Sequence, residues 1–155
     1  EMRSRGVTTP TLNASFRVSE LLERDFGERI ETPLVHTYVP LRKSMFENVW
    51  VNYHDQIQKF LSHQFRTDQD LNLATFFVPW FSYLKGHAVP EHDICYYFNI
   101  RSPVAQHYYS FLKRFKDISA PHSFCANDFS TTKQCVENYQ HALIDLLTKY
   151  YSKGN

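Results

Sequence analysis

The chemistry this sequence offers rests on a histidine, an arginine and an amide–acid pair. His36 closes residues 30–39 (IETPLVHTYV), a β-branched, proline-interrupted segment that ends where a helical pattern begins. Strand ends present side chains to clefts, and an imidazole titrates near neutrality, which suits proton transfer. By residue type alone, a histidine satisfied by a local carbonyl is the commoner outcome. Arg66 falls between two helical patterns, just before an N-terminal turn. A guanidinium there can grip phosphate oxygens bidentately, helped by the partial positive charge of the next helix. A salt bridge to Asp68 or Asp70 accounts for it at least as well. Asn127-Asp128 follows the apolar run SFCA and precedes the last helical pattern. An amide beside a carboxylate at such a turn can bind a metal or orient a sugar hydroxyl, or form an Asx turn.

Other polar groupings have plainer readings. Asp68-Gln69-Asp70 has the DxD spacing of a metal-binding pair, but helix capping explains acids at a helix start. His87, Glu91, His92 and Asp93 fit no common zinc spacing and read as a solvated loop. Arg42 and Lys43 in the first turn of a helix oppose its dipole unless an anion sits nearby. Lys113, Arg114 and Lys116 make a basic helix end, which complements the dipole first and contacts a polyanion second. Asn13-Ala14-Ser15 is a glycosylation sequon of little weight.

The elements that must position these groups are mostly helical. Residues 1–12 are polar, contain Gly6 and Pro10, and read as a linker or arm, with residues 13–155 as the domain proper. Phe16, Leu21, Leu22 and Phe26 lie at helical spacing, and Gly27 fits a left-handed cap. Pro40 suits a first helical turn, with Leu41, Met45, Val49 and Trp50 on one face and a break near Tyr53-His54. Ile57, Phe60 and Leu61 continue the stripe. Phe65-Arg66-Thr67 reads as extended, and Thr67 with Asp70 as a capping box opening a helix from Leu71 to about Lys85, kinked at Pro79 and ended by Gly86. Residues 94–100 (ICYYFNI) are the best strand, followed by a Ser102-Pro103 helix start. Residues 123–127 read as a short extended piece. A last helix is expected from about Ser130 to Tyr151, with Val136, Leu143, Ile144 and Leu147 apolar. The fold class is α/β, helix-dominated with few short strands.

Composition sets the outer bounds. The chain has 155 residues, 43% hydrophobic and 21% charged, so a packed core is expected and whole-chain disorder is not. A formal net charge of +1 provides no bulk attraction to nucleic acid or acidic membrane. The 4 glycines form neither a GxGxxG nor a GxxxxGK[ST] loop, so no glycine-rich phosphate cradle is expected within the chain. Cys95, Cys125 and Cys135 lack CxxC spacing and argue for a reducing compartment. No membrane-spanning run and no signal peptide is read here. A first residue of Glu1 rather than Met suggests a piece of a longer protein.

Taken together, His36-Thr-Tyr-Val-Pro-Leu-Arg42-Lys-Ser, Trp50, His63-Gln-Phe-Arg66-Thr-Asp-Gln-Asp70 and Phe124-Cys-Ala-Asn127-Asp128 resemble the Stealth family of hexose-1-phosphate transferases. These include bacterial capsule polymerases and the animal N-acetylglucosamine-1-phosphotransferase. The resemblance covers residues 30–85 and 122–150, to the third and fourth of the family's four regions, with Phe26-Gly27 as the family's FG-type ending. It implies the C-terminal part of a Rossmann-like sugar-nucleotide transferase. It further implies transfer of hexose-1-phosphate from a UDP-sugar donor to a carbohydrate acceptor, with loss of UMP, in capsule or surface polysaccharide synthesis.

By the same resemblance, His36 and Arg66 are the catalytic pair. Arg42, Asp70 and Asn127 bind substrate, and Asp128 holds a divalent metal, Mg²⁺. The family's first two regions are absent from this chain, so the N-terminal half of the same enzyme is an expected partner. The chain alone is expected to be incomplete. No nucleic-acid partner is implied. A cytoplasmic bacterial enzyme is expected, at the inner membrane face through peripheral association in a larger assembly. The alternative is a non-catalytic helical interaction module whose basic helix contacts a polyanion.

Overall fold

The computed structural model describes residues 9–34, 38–65, 67, 69–92, 94–130 and 135–152. They form two compact units. One comprises the described residues up to Leu34 with Val39–Glu91; the other comprises Tyr38 with the described residues from His92 onward.

In the first unit, helix α1 (Pro10–Phe26) starts at a cap. The Thr9 hydroxyl accepts from the Leu12 amide at 3.2 Å, and Pro10 occupies the first turn, where its missing N–H costs nothing. The helix therefore begins at Pro10 rather than Asn13, because the cap and not the first apolar residue sets its start. It ends as expected at Gly27, whose φ of 73° is left-handed and whose N–H donates to the Glu23 carbonyl. The following segment was expected to be a strand, but its described residues form none. The N–H and C=O of Ile30 are both satisfied by the buried Ser19 hydroxyl, which occupies the groups a neighbouring strand would need.

Helix α2 (Lys43–Asn52) starts after Arg42, so Pro40 and Leu41 precede it instead of forming its first turn. Tyr53, with φ −127° and ψ 29°, breaks the backbone where the pattern expected it, and α3 (His54–Leu61) follows. Met45, Val49, Tyr53 and Ile57 form one buried stripe across the break. Trp50 is not on that stripe: it is 41% exposed and meets the His54 ring edge-on. The helix expected from Leu71 starts as a π turn, Leu73–Phe77, and continues as α4 (Val78–Leu84). Pro79 explains the change of register. It cannot donate to a carbonyl four residues back and its ring would crowd that carbonyl, so the preceding turn widens. Accordingly, Phe77 N–H reaches Asn72 and Val78 N–H reaches Leu73. Gly86, at φ 74°, closes the helix. Phe76, Phe77, Val78 and Phe81 fill the core against Val18, Leu22 and the α2–α3 stripe.

In the second unit, β1 (Cys95–Asn99) and β2 (Ser123–Asn127) pair in parallel, in a register that sets Asn99 opposite Asn127. Parallel strands need a long crossover, which helix α5 (Val104–Phe115) provides. Alternation along β1 buries Phe98 and leaves Tyr97 40% exposed. Phe98 stacks on Tyr108 at 4.9 Å and on Phe124 at 6.4 Å, over a core of Ala105, Tyr109, Leu112 and Leu146. The last helix, α6 (Tyr139–Tyr151), starts later than expected. Val136 is not a helical face residue, because its N–H donates to the Arg101 carbonyl. Leu146, rather than the exposed Ile144, is the fully buried residue of α6.

One polar contact ties α1 to the α2–α3 joint. Tyr53 is 2% exposed; burial pushes its phenol above the usual tyrosine range, and a hydrogen bond to Asp25 and that carboxylate's charge add to the effect. Asp25 is held below the usual range first by its hydrogen bond from Arg24, at 2.6 Å, and then by Tyr53. A phenol raised on folding contributes stability below about pH 10 that is lost as pH rises, because the unfolded chain ionises first. Tyr53→Phe is expected to cost about 1–2 kcal/mol at pH 7 and to flatten that alkaline loss. Urea unfolding followed by tryptophan fluorescence checks this, since Trp50 and Trp80, the 2 tryptophans, both report on the first unit.

Candidate functional site

The expected catalytic pair, His36 and Arg66, lies outside the described residues. The segment that leads into Arg66 is anchored by side chains on both sides of it. The Thr67 N–H donates to Asp70 Oδ2 at 3.1 Å and the Thr67 hydroxyl to Asp70 Oδ1 at 2.9 Å, while the Gln69 N–H donates to the Thr67 hydroxyl at 3.1 Å. His63 Nδ1 lies 3.1 Å from both Asp70 Oδ1 and the Thr67 hydroxyl. The acid arm of the expected capping box is thus present, with Asp70 accepting from the Thr67 N–H. The helix nevertheless begins only after Asn72, which is pinned to α1 through Ala14 and Ser15. Burial would raise the Asp70 carboxyl, but hydrogen bonds from His63 and Thr67 outweigh it and hold it below the ordinary range.

Both Asp70 oxygens are therefore engaged by its own loop. Its side chain is 14% exposed and that of His63 22%. Arg42 contrasts with this: it caps α2 through its carbonyl, which accepts from the Met45 amide at 3.0 Å, and its side chain is exposed. Next to it, Lys43 pairs with Glu47 at 3.5 Å.

In the second unit, Asn127 and Asp128 stand at the C-terminal end of β2, beside the matching end of β1. Open α/β sheets present ligands at this end. Asn127 Nδ2 donates to the Tyr97 hydroxyl at 3.0 Å, and its carbonyl accepts from the Ile100 amide at 2.9 Å. Asp128 Oδ1 accepts from Arg101 Nε at 2.5 Å, and this bond raises the guanidinium's already high pKa. Arg101 also lies over the Tyr139 ring, 5.0 Å from its centroid.

A magnesium ion demands near-octahedral oxygen ligation. Among the described residues no three His, Cys, Asp or Glu side chains converge on one point, and Asp128 is already paired with Arg101. Asp128 would supply at most one carboxylate to such an ion, with water and substrate phosphate completing its shell.

Sequence reasoning did not single out Arg101 or assign a role to His63. The signal for Arg101 was legible: Asn99-x-Arg101 occupies the same strand-to-helix position that drew attention to Asn127-Asp128. His63 opens the motif that ends at Asp70, but its partners come from a loop fold that no periodicity reports.

The Asp70 network yields a pH-dependent expectation. A depressed carboxyl contributes stability above about pH 4 that disappears as pH falls through its folded value. Asp70→Asn should accelerate hydrogen exchange at the Thr67 and Gln69 amides by about tenfold at neutral pH. Below about pH 4 the unmodified chain should converge on the variant's protection, measured by exchange at each amide.

The family model described as Stealth protein conserved region 3 matches residues 35–81. That span contains His36, Arg42, His63, Arg66 and Asp70 and runs through α2, α3, the π turn and into α4. The capsular polysaccharide phosphotransferase LcbA of Aeromonas hydrophila is 53% identical over 98% of this chain, which amounts to 42% of that relative. The capsular polysaccharide phosphotransferase of Actinobacillus suis is 50% identical over 98% of the chain and 41% of its own length. LcbA of Neisseria meningitidis is 49% identical over 97% of the chain and 41% of its own length. The chain therefore spans about two fifths of these relatives. The chain carries the Stealth family's conserved region 3 on residues 35–81, a span that runs into helix α4.

Proposed function

We propose that the protein to which this chain belongs is a sugar-1-phosphate transferase of capsule or surface polysaccharide synthesis, with a UDP-sugar as donor. The observation that carries this reading is the near 50% identity, across almost the whole chain, to relatives named capsular polysaccharide phosphotransferases. In the proposed reaction an acceptor sugar hydroxyl attacks the β-phosphorus. A new P–O bond forms, the P–O bond to the bridging oxygen breaks, and UMP leaves with the electron pair while the hydroxyl proton passes to a base. The anomeric C–O bond is not broken, so its configuration persists.

Such a reaction needs a proton acceptor near neutrality and fixed positive charge on the pyrophosphate. His36 is the proposed base and Arg66 the phosphate clamp. Arg42, exposed at the start of α2, is a second cation for the donor. Asp70 acts by holding the His63–Asp70 loop in shape on either side of Arg66, since both its oxygens are engaged there. Asn127 and Asp128 position substrate at the strand ends of the second unit.

We read the β1–α5–β2 unit as part of a Rossmann-like sheet completed by the rest of the protein. A two-stranded parallel pair is marginal by itself, and parallel sheets are normally larger and covered on both faces. The N-terminal half of the enzyme is thus a proposed partner. No helix among the described residues is long and apolar enough to cross a membrane, and placement at the cytoplasmic face of the inner membrane is part of the same proposal.

In the full-length enzyme, His36→Ala and Arg66→Ala should each lower transfer by about 10²–10³, on the order of 3–4 kcal/mol, with unchanged melting behaviour. Unchanged turnover in both would remove the proposed roles. Oxygen-18 placed between the anomeric carbon and the β-phosphorus of the donor should remain in the phosphodiester product. Loss of that label would show cleavage at the anomeric carbon and a glycosyl transfer instead, read by mass spectrometry.

A further inference from the structure

Arg101 is anchored at four points. Its N–H donates to Asn99 Oδ1 at 3.2 Å, and its carbonyl accepts from the Val136 amide at 2.9 Å. Its Nε donates to Asp128 Oδ1, and its guanidinium carbon lies over the Tyr139 ring, 5.0 Å from the centroid. The residues doing this are themselves held. Asn99 Nδ2 donates to the Phe129 carbonyl at 3.0 Å, and Asn127, its partner across the strands, is bonded to Tyr97. An arginine serving only as surface charge gains little from such restraint, since exposed ion pairs contribute little and ordering a long side chain costs entropy.

The restraint also has a direction. Asp128 takes Nε, so among the described residues neither terminal nitrogen of Arg101 donates to a protein group. Those two nitrogens form one edge of the planar fork, the geometry that matches two oxygens of a phosphate. The side chain keeps 30% of its surface exposed. It stands at the C-terminal ends of two parallel strands and directly before Ser102, whose hydroxyl accepts from the Val104 amide at the opening of α5.

We infer that Arg101 binds a phosphate group of the donor at the C-terminal edge of β1 and β2, with Asp128 and Tyr139 holding its guanidinium in place. This rests on the proposed transfer reaction for the identity of the donor. The site itself requires only an oxyanion, and the pyrophosphate of a nucleoside-diphosphate sugar is the class it fits. Arg101 thus joins the residues that touch substrate, and Tyr139 and Asp128 act through it.

The test uses the full-length enzyme with Arg101→Ala and Arg101→Lys, measuring donor and acceptor kinetics and, separately, calorimetric binding of inorganic pyrophosphate. Loss of a charge-assisted contact should raise the donor KM and weaken pyrophosphate binding about tenfold or more in Arg101→Ala. The acceptor KM should stay within about twofold, and Arg101→Lys should recover part of the loss because it restores charge without the fork. A merely structural arginine would instead lower stability and affect both substrates alike, with no recovery by lysine; that result overturns the inference. So does pyrophosphate binding that is the same in all three proteins. Absence of sugar-phosphate transfer in the unmodified enzyme, with pyrophosphate binding still dependent on Arg101, would sink the proposed reaction and leave the anion site standing. If Arg101→Ala does not fold, Arg101→Lys and Arg101→Gln carry the same comparison.

Discussion

Backbone groups that leave a helix or strand in a half-buried place must find new partners, and in this chain side chains supply them. Ser19 satisfies both groups of Ile30. Asn72 links the start of the π turn to α1, and Thr67 with Asp70 binds the loop before it. Asn99 bonds the Arg101 N–H and the Phe129 carbonyl at the strand ends. With 4 glycines in 155 residues, the chain has few positions that turn without such help. The irregular segments around Ile30, Thr67, Asn72 and Arg101 are therefore held by specific polar residues, and Asp70, Arg101 and Asp128 stand in or beside them.

The two units meet this constraint differently. The first is a small helical core in which Tyr53, placed where α2 breaks into α3, packs 4.6 Å from Phe77 and bonds to Asp25. The break is what lets one tyrosine reach both the aromatic core and the end of α1. The second unit is a strand–helix–strand turn in which Phe98 is sandwiched by aromatic rings. That packing sets the strand register, and the register in turn brings Asn99 and Asn127 level with each other. The alignment of the two strand ends thus goes with an apolar stack along the strands.

A chemical asymmetry follows. In the first unit, Asp70 is drawn inward with both oxygens hydrogen-bonded by its own loop, while the cation Arg42 is exposed. In the second, Asp128 orients Arg101 rather than presenting a bare carboxylate. Both acids that sequence reasoning assigned to substrate or metal are committed to protein partners. At the strand ends of the second unit Arg101 and Asp128 are both partly exposed, as one oriented ion pair.

Much of the architecture was legible in local pattern, because caps, prolines and alternation act over a few residues. Gly27 and Gly86 end their helices, Tyr53 breaks one, and the segments 94–100 and 123–127, read as extended, supply the paired strands Cys95–Asn99 and Ser123–Asn127. The motif runs from His36 to Asp70 and from Phe124 to Asp128 also pointed to the family from sequence alone, since residue type and spacing are properties of the chain. Tertiary structure decided what spacing cannot express. It set the π turn before Pro79, the late start of α6, and the failure of residues 30–34 to pair as a strand once Ser19 had taken the groups of Ile30. It also decided which acids are engaged and which cations are not, because a side chain's partner is chosen among groups brought near by the fold: Asp128 found Arg101 only after β1 and β2 had aligned their ends.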